Sequence, residues 1–176
     1  MRKKIFIVLG VIFAIVCVGL FIHVKNTNNQ ANVYYRTYTK NGWSKWSKNG
    51  VISGDGKSDI LNIEIKIKSK LKGDIIYKLY QDSEWTSVTK ENEKVYGMKV
   101  TLSNTLYRKY NIFYRTYNDK DEWLEWANNY QISGNKDKAI KKIQIKLLEK
   151  DSSVDDFLED YYLKEIKSKN FNEEGE

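Results

Sequence analysis

An internal repeat constrains the fold of this chain more than any other feature of its sequence. Four short segments recur about 80 residues further along: Tyr-Arg-Thr-Tyr at 35–38 and 114–117, Trp-x-x-Trp at 43–46 and 123–126, Ile-Ser-Gly at 52–54 and 132–134, and Ile-x-Ile-Lys at 63–66 and 143–146. The offset changes from 79 to 80 residues at the tryptophans, so one inserted residue accounts for the difference. A unit of this length cannot bury its apolar face alone, and the repeated units must therefore share one core.

A third and more divergent copy lies between the other two. Tyr77 and Tyr80 are followed by Trp85 at the spacing that separates Tyr35 from Trp43. This middle copy has a valine in place of the second tryptophan and is about seven residues shorter in its central loop. The three predicted copies span 33–68, 75–102 and 112–147.

Each copy ends in a segment that alternates apolar and polar residues, as in the run from Ile63 to Ile67. A period of two residues is typical of a strand with one buried face. The residues expected in the shared core are Trp43, Trp85 and Trp123, Tyr35, Tyr77 and Tyr114, Ile63, Ile65 and Ile67, and Ile143, Ile145 and Leu147. We therefore expect a closed all-β domain with pseudo-threefold symmetry, β-prism-like or β-trefoil-like, over 33–148.

The N-terminus has the pattern of a membrane anchor. Arg2, Lys3 and Lys4 precede Ile5–Ile22, 18 residues without a charged or strongly polar side chain. That length suits a bilayer-spanning helix and exceeds the apolar core of a signal peptide. The basic residues favour a cytoplasmic N-terminus. We expect a cytoplasmic tip and transmembrane signal anchor at 1–24, a polar tether at 25–32 and an extracellular domain; the alternative is a cleaved signal peptide and a secreted protein.

Charge divides the remaining chain into two parts. Residues 25–148 carry 23 basic and 13 acidic side chains, whereas 149–176 carry four basic and ten acidic ones. A domain of net charge +10 attracts polyanions, which outside a cell are wall polymers, acidic glycans and lipid headgroups rather than nucleic acid. The acidic tail at 149–176 has apolar residues at helical spacing, which predicts an amphipathic helix at about 153–168.

Aromatic and arginine side chains are the candidate ligand-binding residues. Trp43 and Trp46 are three residues apart, and so on a continuous strand they would point to opposite faces. The second tryptophan of each outer copy is then expected outside, where it can stack on a sugar or fill a partner's pocket. The candidates are Trp46, Trp126, Tyr38, Tyr117, Arg36 and Arg115. The alternative is that these aromatic rings pack in the core or under loops.

The composition leaves little material for catalysis. The single cysteine, Cys17, lies inside the apolar run, and the single histidine, His23, lies at its edge. No disulfide, His-based triad, metal site or cofactor is therefore expected within the chain. Carboxylates near the second Trp-x-x-Trp pair could in principle support glycoside hydrolysis, but a solvated turn is the better explanation of them. They are Asp119, Asp121, Glu122 and Glu125.

The repeated pattern resembles a known family. Tyr-Arg-x-Tyr, Trp-x-x-Trp, Ser-Gly and a closing Ile-x-Ile-Lys-Leu, most complete at 110–147, are similar to the ChW (clostridial hydrophobic with conserved tryptophan) repeat. The resemblance covers about 115 residues. It departs from the family at the His-Val-Gln position, here Tyr38-Thr39-Lys40, and in the loop reduced to Gly54-Asp55-Gly56. The resemblance implies a secreted or surface-exposed location and a binding or adhesive role, without a known reaction.

These features predict a membrane-anchored, extracytoplasmic binding or adhesion module for a cell-surface glycan, a wall polymer or a protein partner. The alternative from another class is a structural component of an envelope complex that recruits a partner through its acidic C-terminal helix. A carboxylate-dependent glycosidase is the remote alternative.

Overall fold

The computed structural model describes residues 30–118 and 122–150. The predicted anchor at 1–24 and the predicted tail helix at about 153–168 lie outside this part of the chain. Within residues 30–118 and 122–150, no helix is both long enough and apolar enough to cross a bilayer.

The described residues form short sheets and one short helix, which confirms the prediction of an all-β domain. The strands are β1 (Asn32–Thr39), β2 (Gly42–Trp43), β3 (Ser47–Lys48), β4 (Asn62–Lys68), β5 (Ile75–Gln81), β6 (Glu84–Thr86), β7 (Gly97–Leu102), β8 (Tyr110–Tyr117), β9 (Ala127–Asn128), β10 (Ser133–Gly134) and β11 (Lys142–Glu149). Helix α1 (Asn104–Lys109) joins β7 to β8 and buries Leu106.

Each predicted copy is built on one long antiparallel pair of strands. In the first copy β1 pairs with β4 from Asn32↔Lys68 to Tyr38↔Asn62. In the middle copy β5 pairs with β7, and in the third β8 pairs with β11. Short strands border the opening strand of every copy: β2 and β3 on β1, β6 on β5, and β9 on β8. The closing strands β4, β7 and β11 are the three segments that the alternation of apolar residues predicts.

Three backbone hydrogen bonds join the copies in a ring. The amide of Ile60 donates to the carbonyl of Ile140 at 2.9 Å, Ile140 to Val95 at 2.8 Å, and Val95 to Ile60 at 2.8 Å. These residues precede β4, β7 and β11, and all three side chains are buried. Each copy thus donates one bond and accepts one bond at this point, which fixes the three closing strands relative to one another.

The Ser-Gly motif of each outer copy lies against the closing strand of a different copy. Ser53 exchanges two backbone hydrogen bonds with Ile143, at 3.0 and 2.8 Å. In the same way Ser133 pairs with Met98 of the middle copy. The glycine that follows has a positive φ, +105° at Gly54 and +135° at Gly134. A Cβ at either position would overlap backbone atoms of the neighbouring copy, so only glycine allows this approach.

Two of the opening tyrosines are buried and form hydrogen bonds with backbone carbonyls of their own copies. Tyr35 is fully buried and its hydroxyl donates a hydrogen bond to the carbonyl of Val51. Tyr114 is equally buried and its hydroxyl donates to Gln131. Burial raises the pKa of the Tyr35 phenol to about 12, and hydrogen bonds with the backbone of Ile145 and Gly50 oppose part of this rise. Burial likewise raises the pKa of Tyr114 to about 12.

The residues predicted to lie in the core differ in how deeply they are buried. The structure buries Tyr35, Tyr114, Ile63, Ile65, Ile143, Ile145 and Leu147 and leaves Tyr77 and Ile67 half-buried against the same cluster. The tryptophans differ: Trp85 and Trp123 are half-buried, and Trp43 is 38% exposed. The prediction of a core position is therefore wrong for Trp43, whose ring lies on the outer face of the β1–β2 pair.

Candidate binding surface

An aromatic ridge with a central arginine covers the outer face of the first copy. Trp43 lies beside Tyr38, with 5.2 Å between ring centroids and the rings tilted by 50°. The guanidinium carbon of Arg36 lies 4.4 Å from the centroid of Trp43 and 4.6 Å from that of Trp46. The ammonium of Lys66 lies 3.5 Å from the centroid of Trp46. We call these five residues, Tyr38, Trp43, Arg36, Trp46 and Lys66, the first ridge.

Both tryptophans of the first copy contact Arg36, and so the prediction that they point to opposite faces is wrong. The register explains the difference, because Tyr38 pairs with Trp43 whereas Tyr35 pairs with Ser47. Two residues of β1 therefore face three residues of the other chain segment, as in a β-bulge. The extra residue reverses the alternation and brings Trp46 to the outer face, together with Trp43.

The third copy repeats this arrangement as a second ridge of Tyr117, Trp123, Arg115 and Trp126. The guanidinium carbon of Arg115 lies 4.7 Å from the centroid of each tryptophan. Tyr117 lies 5.6 Å from Trp123, and the registers Tyr117↔Trp123 and Tyr114↔Ala127 contain the same extra residue. The second ridge is less exposed than the first, since Tyr117 is buried and both tryptophans are half-buried.

The middle copy keeps only part of the ridge. Tyr80 and Trp85 form the aromatic pair, at 5.2 Å, and the ammonium of Lys99 lies 4.3 Å from the Trp85 centroid. Val88, which takes the place of the second tryptophan in the sequence, is 78% exposed and follows the end of β6. The middle copy therefore lacks the arginine held between two indole rings that characterises the outer copies.

Residues on the closing strands hold the two arginines in place. Arg36 Nε donates to Glu64 Oε2 at 2.7 Å, and these residues are direct neighbours across β1 and β4. Arg115 Nε donates to Gln144 Oε1 at 2.9 Å across β8 and β11. Gln144 also donates to the carbonyl of Gly50 at 2.6 Å, which connects the second ridge to the first copy.

Two clefts flank Trp43. One, of 410 Å³, is lined by hydroxyl, amide and carboxylate groups and is here called the hydroxyl cleft. The polar residues that line it include Thr37, Asn41, Ser44, Ser53 and Asp55. The other, of 320 Å³, lies on the Tyr38 side of Trp43 and is here called the amide cleft. Its polar lining includes Asn62, Thr89, Lys90 and Asn92. Trp43 borders both clefts, whereas Trp46 borders neither of these two.

The hydroxyl cleft has an ordered floor. The hydroxyl oxygen of Ser53 lies 3.2 Å from that of Thr37 and 3.1 Å from that of Ser44. Thr37 and Ser53 are buried, so the cluster is held by the β1 backbone and by the Ser-Gly segment. An oxygen-rich floor beside an indole edge can donate and accept hydrogen bonds with a polyol while the ring contacts its apolar face.

The structure describes two of the four candidate carboxylates. Glu122 and Glu125 are exposed, and Asp119 and Asp121 lie outside the described residues. In residues 30–118 and 122–150, no group of three or more His, Cys, Asp or Glu side chains is arranged to hold a metal ion.

The sequence predicts a core position for Trp43 and indicates neither of the two clefts. The residues Ser44, Ser53 and Asn62 come from three separate segments, and only the fold brings them around one ring. A signal was available in the repeat, because Ser53 and Thr37 recur as Ser133 and Thr116, whose hydroxyls also lie 3.2 Å apart.

The sequence matches no protein-family model, and comparison with curated proteins and with solved structures finds no relative.

Proposed function

We propose that this protein is a binding module that recognises a cell-surface glycan through the first ridge. The observation that carries the proposal is the position of Trp43, an exposed indole ring between two clefts lined by hydroxyl and amide groups. A pyranose ring has an apolar face that stacks on an aromatic side chain and hydroxyl groups that need polar partners at its rim. The surroundings of Trp43 offer both.

The proposed domain is a closed pseudo-threefold repeat, in which three diverged copies of a ChW-like unit share one core. The ring of hydrogen bonds through Ile60, Val95 and Ile140 supports this arrangement, and so does the pairing of each Ser-Gly segment with another copy. We propose further that the N-terminal apolar segment anchors the protein in the cell membrane, with the N-terminus in the cytoplasm and the β domain outside.

The charge of the domain favours an acidic ligand or a wall polymer over a neutral glycan. The cations of the first ridge are Arg36, which is paired with Glu64, and Lys66, which lies over Trp46. Lys90 lines the amide cleft together with Glu91 and is already compensated. Its ammonium forms ion pairs with Asp82 at 2.8 Å and with Glu84 at 2.6 Å, and these hydrogen bonds raise its pKa. Because the ridge cations already contact indole rings, a carboxylate or phosphate on the ligand can approach them without a further rearrangement of the side chains.

The test is a titration of the full chain, in non-ionic detergent, with a panel of neutral and acidic cell-wall glycans, followed by tryptophan fluorescence. Trp43→Ala should weaken binding by about tenfold or more, since a central aromatic anchor contributes at least about 1.4 kcal/mol. Tyr107→Ala is the matched control, because Tyr107 is 45% exposed but lies on α1, away from both ridges. It should leave the affinity unchanged.

The proposal fails if no glycan in the panel binds, or if Trp43→Ala and Tyr107→Ala weaken binding equally. Trp46→Ala separates the two parts of the ridge: binding that depends on Trp46 but not on Trp43 would move the site away from the two clefts. Raising the salt concentration should weaken the acidic glycans more than the neutral ones.

A further inference from the structure

A cleft lined by lysines lies where the three copies meet. It has a volume of 420 Å³ and is here called the junction cleft; its polar lining is Lys40, Lys57, Lys94, Lys141, Ser58 and Asp59. Lys94 and Lys141 are the chain neighbours of Val95 and Ile140, whose backbones belong to the ring of hydrogen bonds described above. The first copy contributes the other four residues, so all three copies take part in the cleft.

Basic residues outnumber acidic ones among the residues that line the junction cleft. Four lysines face one aspartate, which gives the lining a formal charge of +3. Asp59 forms an ion pair with Lys94 at 2.7 Å, and Lys141 Nζ donates to the carbonyl oxygen of Lys57 at 3.0 Å. Bringing like charges together in a concave surface costs free energy unless an anion is attracted there, and a cleft of one sign focuses the field on such a ligand.

One edge of the cleft is held in a fixed shape. Asp55 Oδ1 accepts backbone hydrogen bonds from Lys57 and Ser58, both at 2.8 Å, and Oδ2 accepts one from the Ser58 hydroxyl at 2.8 Å. Asn41 Nδ2 also donates to that hydroxyl oxygen, at 3.3 Å. The turn therefore presents Lys57 and Ser58 to the cleft in one arrangement, which lowers the cost of ordering them around a ligand.

We propose that the junction cleft binds a phosphate group, either as a free anion or as a phosphodiester of a polymer. Lysine is a common point-charge ligand of phosphate, and several lysines around one concavity match the charge of the tetrahedral anion. The Ser58 hydroxyl already donates to Asp55, so the lysine ammonium groups supply the contacts with the anion. The junction cleft adjoins the amide cleft, since Leu61 lines both, but Trp43 does not line it, and the phosphate proposal does not depend on the glycan proposal.

The experiment compares two double variants of the full chain in non-ionic detergent at constant ionic strength. Lys40→Gln/Lys57→Gln removes two charges from the junction cleft. Lys72→Gln/Lys109→Gln removes two charges from exposed lysines around helix α1, beyond the opposite end of β4. Inorganic phosphate and poly(glycerol phosphate) are the two probes, and calorimetric titration gives affinity and stoichiometry for each.

We expect one phosphate to bind per chain, with an affinity that falls about tenfold in the cleft variant and stays unchanged in the control variant. If inorganic phosphate binds and displaces the polymer, both sources share the cleft. If only the polymer binds, and only the cleft variant weakens it, the ligand is a phosphodiester. Equal weakening by both double variants, or no binding of either probe, overturns the proposal. Trp43→Ala should leave phosphate binding intact. A failure of the phosphate proposal can therefore be distinguished from a failure of the glycan proposal.

Discussion

Arg36 and Glu64 face each other across β1 and β4, and their 2.7 Å hydrogen bond holds the guanidinium between two indole rings. The equivalent pair in the third copy is Arg115 and Gln144, in which an amide oxygen takes the place of the carboxylate. The outer copies therefore use two different acceptors to place an arginine in the same position. What they share is the direction of the hydrogen bond, while the charge of the acceptor differs.

The first prediction follows from this difference. Glu64→Ala removes the acceptor, so Arg36 should leave its place between Trp43 and Trp46, with a change in the near-ultraviolet circular dichroism of the tryptophans. Glu64→Gln keeps an acceptor, as Gln144 does, and should preserve the spectrum. Both variants should lose at most about 1 kcal/mol of unfolding free energy, because the ion pair is partly exposed. Identical spectra for Glu64→Ala and the wild type would contradict the role assigned to Glu64.

The second prediction concerns the close approach of two copies at Gly134. Gly134→Ala combines an unfavourable positive φ with overlap against the backbone of Gly97 and Tyr96, and should destabilise the domain by about 2–5 kcal/mol. Gly42→Ala is the control: Gly42 has a φ of +98° but no atom within 4 Å of the added Cβ, so it suffers the strain without the overlap. Urea denaturation measures both. Equal losses would show that the interface between copies tolerates a methyl group.

The sequence predicts the parts of this fold that depend on local alternation. β4, β7 and β11 follow from their period of two residues, and the repeat predicts a core position for Tyr35, which is fully buried. The same rule fails at Trp46, because it holds only along a continuous strand and the extra residue before β3 interrupts the strand. A bulge is defined by the register with the partner strand, and that register has no local sequence signature.

The pairing between copies is also beyond local reasoning. The repeat identifies the Ser-Gly segments as equivalent but indicates no partner for them, whereas the structure pairs them with β11 and β7. Their partners lie in a different copy, far away in the sequence, and only the tertiary fold brings them together. The clefts around Trp43 depend on contacts between distant segments, whereas the sequence alone points to Trp46 and Trp126 as the outward-facing rings.

The third prediction is a loss of stability at alkaline pH. The folded-state pKa of Tyr35 and of Tyr114 is raised from 10.0 to about 12 by burial. Because the folded protein favours the neutral phenols, they stabilise it most below pH 10, the pKa of an exposed tyrosine. This part of the unfolding free energy is lost as the pH rises through about 12. Unfolding free energy measured from pH 8 to pH 12 should therefore fall steeply above pH 10.

The double variant Tyr35→Phe/Tyr114→Phe isolates the two phenols. It should lose about 1–3 kcal/mol at neutral pH, because two hydrogen bonds to backbone carbonyls are removed. Above pH 10 its stability should fall less steeply than that of the wild type, since two of the buried ionisations are gone. An unchanged slope would mean that the alkaline transition has another origin.

The fourth prediction compares two isoleucines of one strand. Ile65 is 7% exposed within the shared core, whereas Ile67 is half-buried at its edge. Ile65→Ala should reduce the unfolding free energy by about 2–5 kcal/mol, through lost apolar burial and the cavity that remains. Ile67→Ala should cost less than half as much, because solvent already reaches part of its side chain.

If the three copies share one core, urea should unfold both variants in a single transition at a lower midpoint, seen alike by tryptophan fluorescence and far-ultraviolet circular dichroism. Two separate transitions in Ile65→Ala would instead mean that the first copy unfolds independently of the other two.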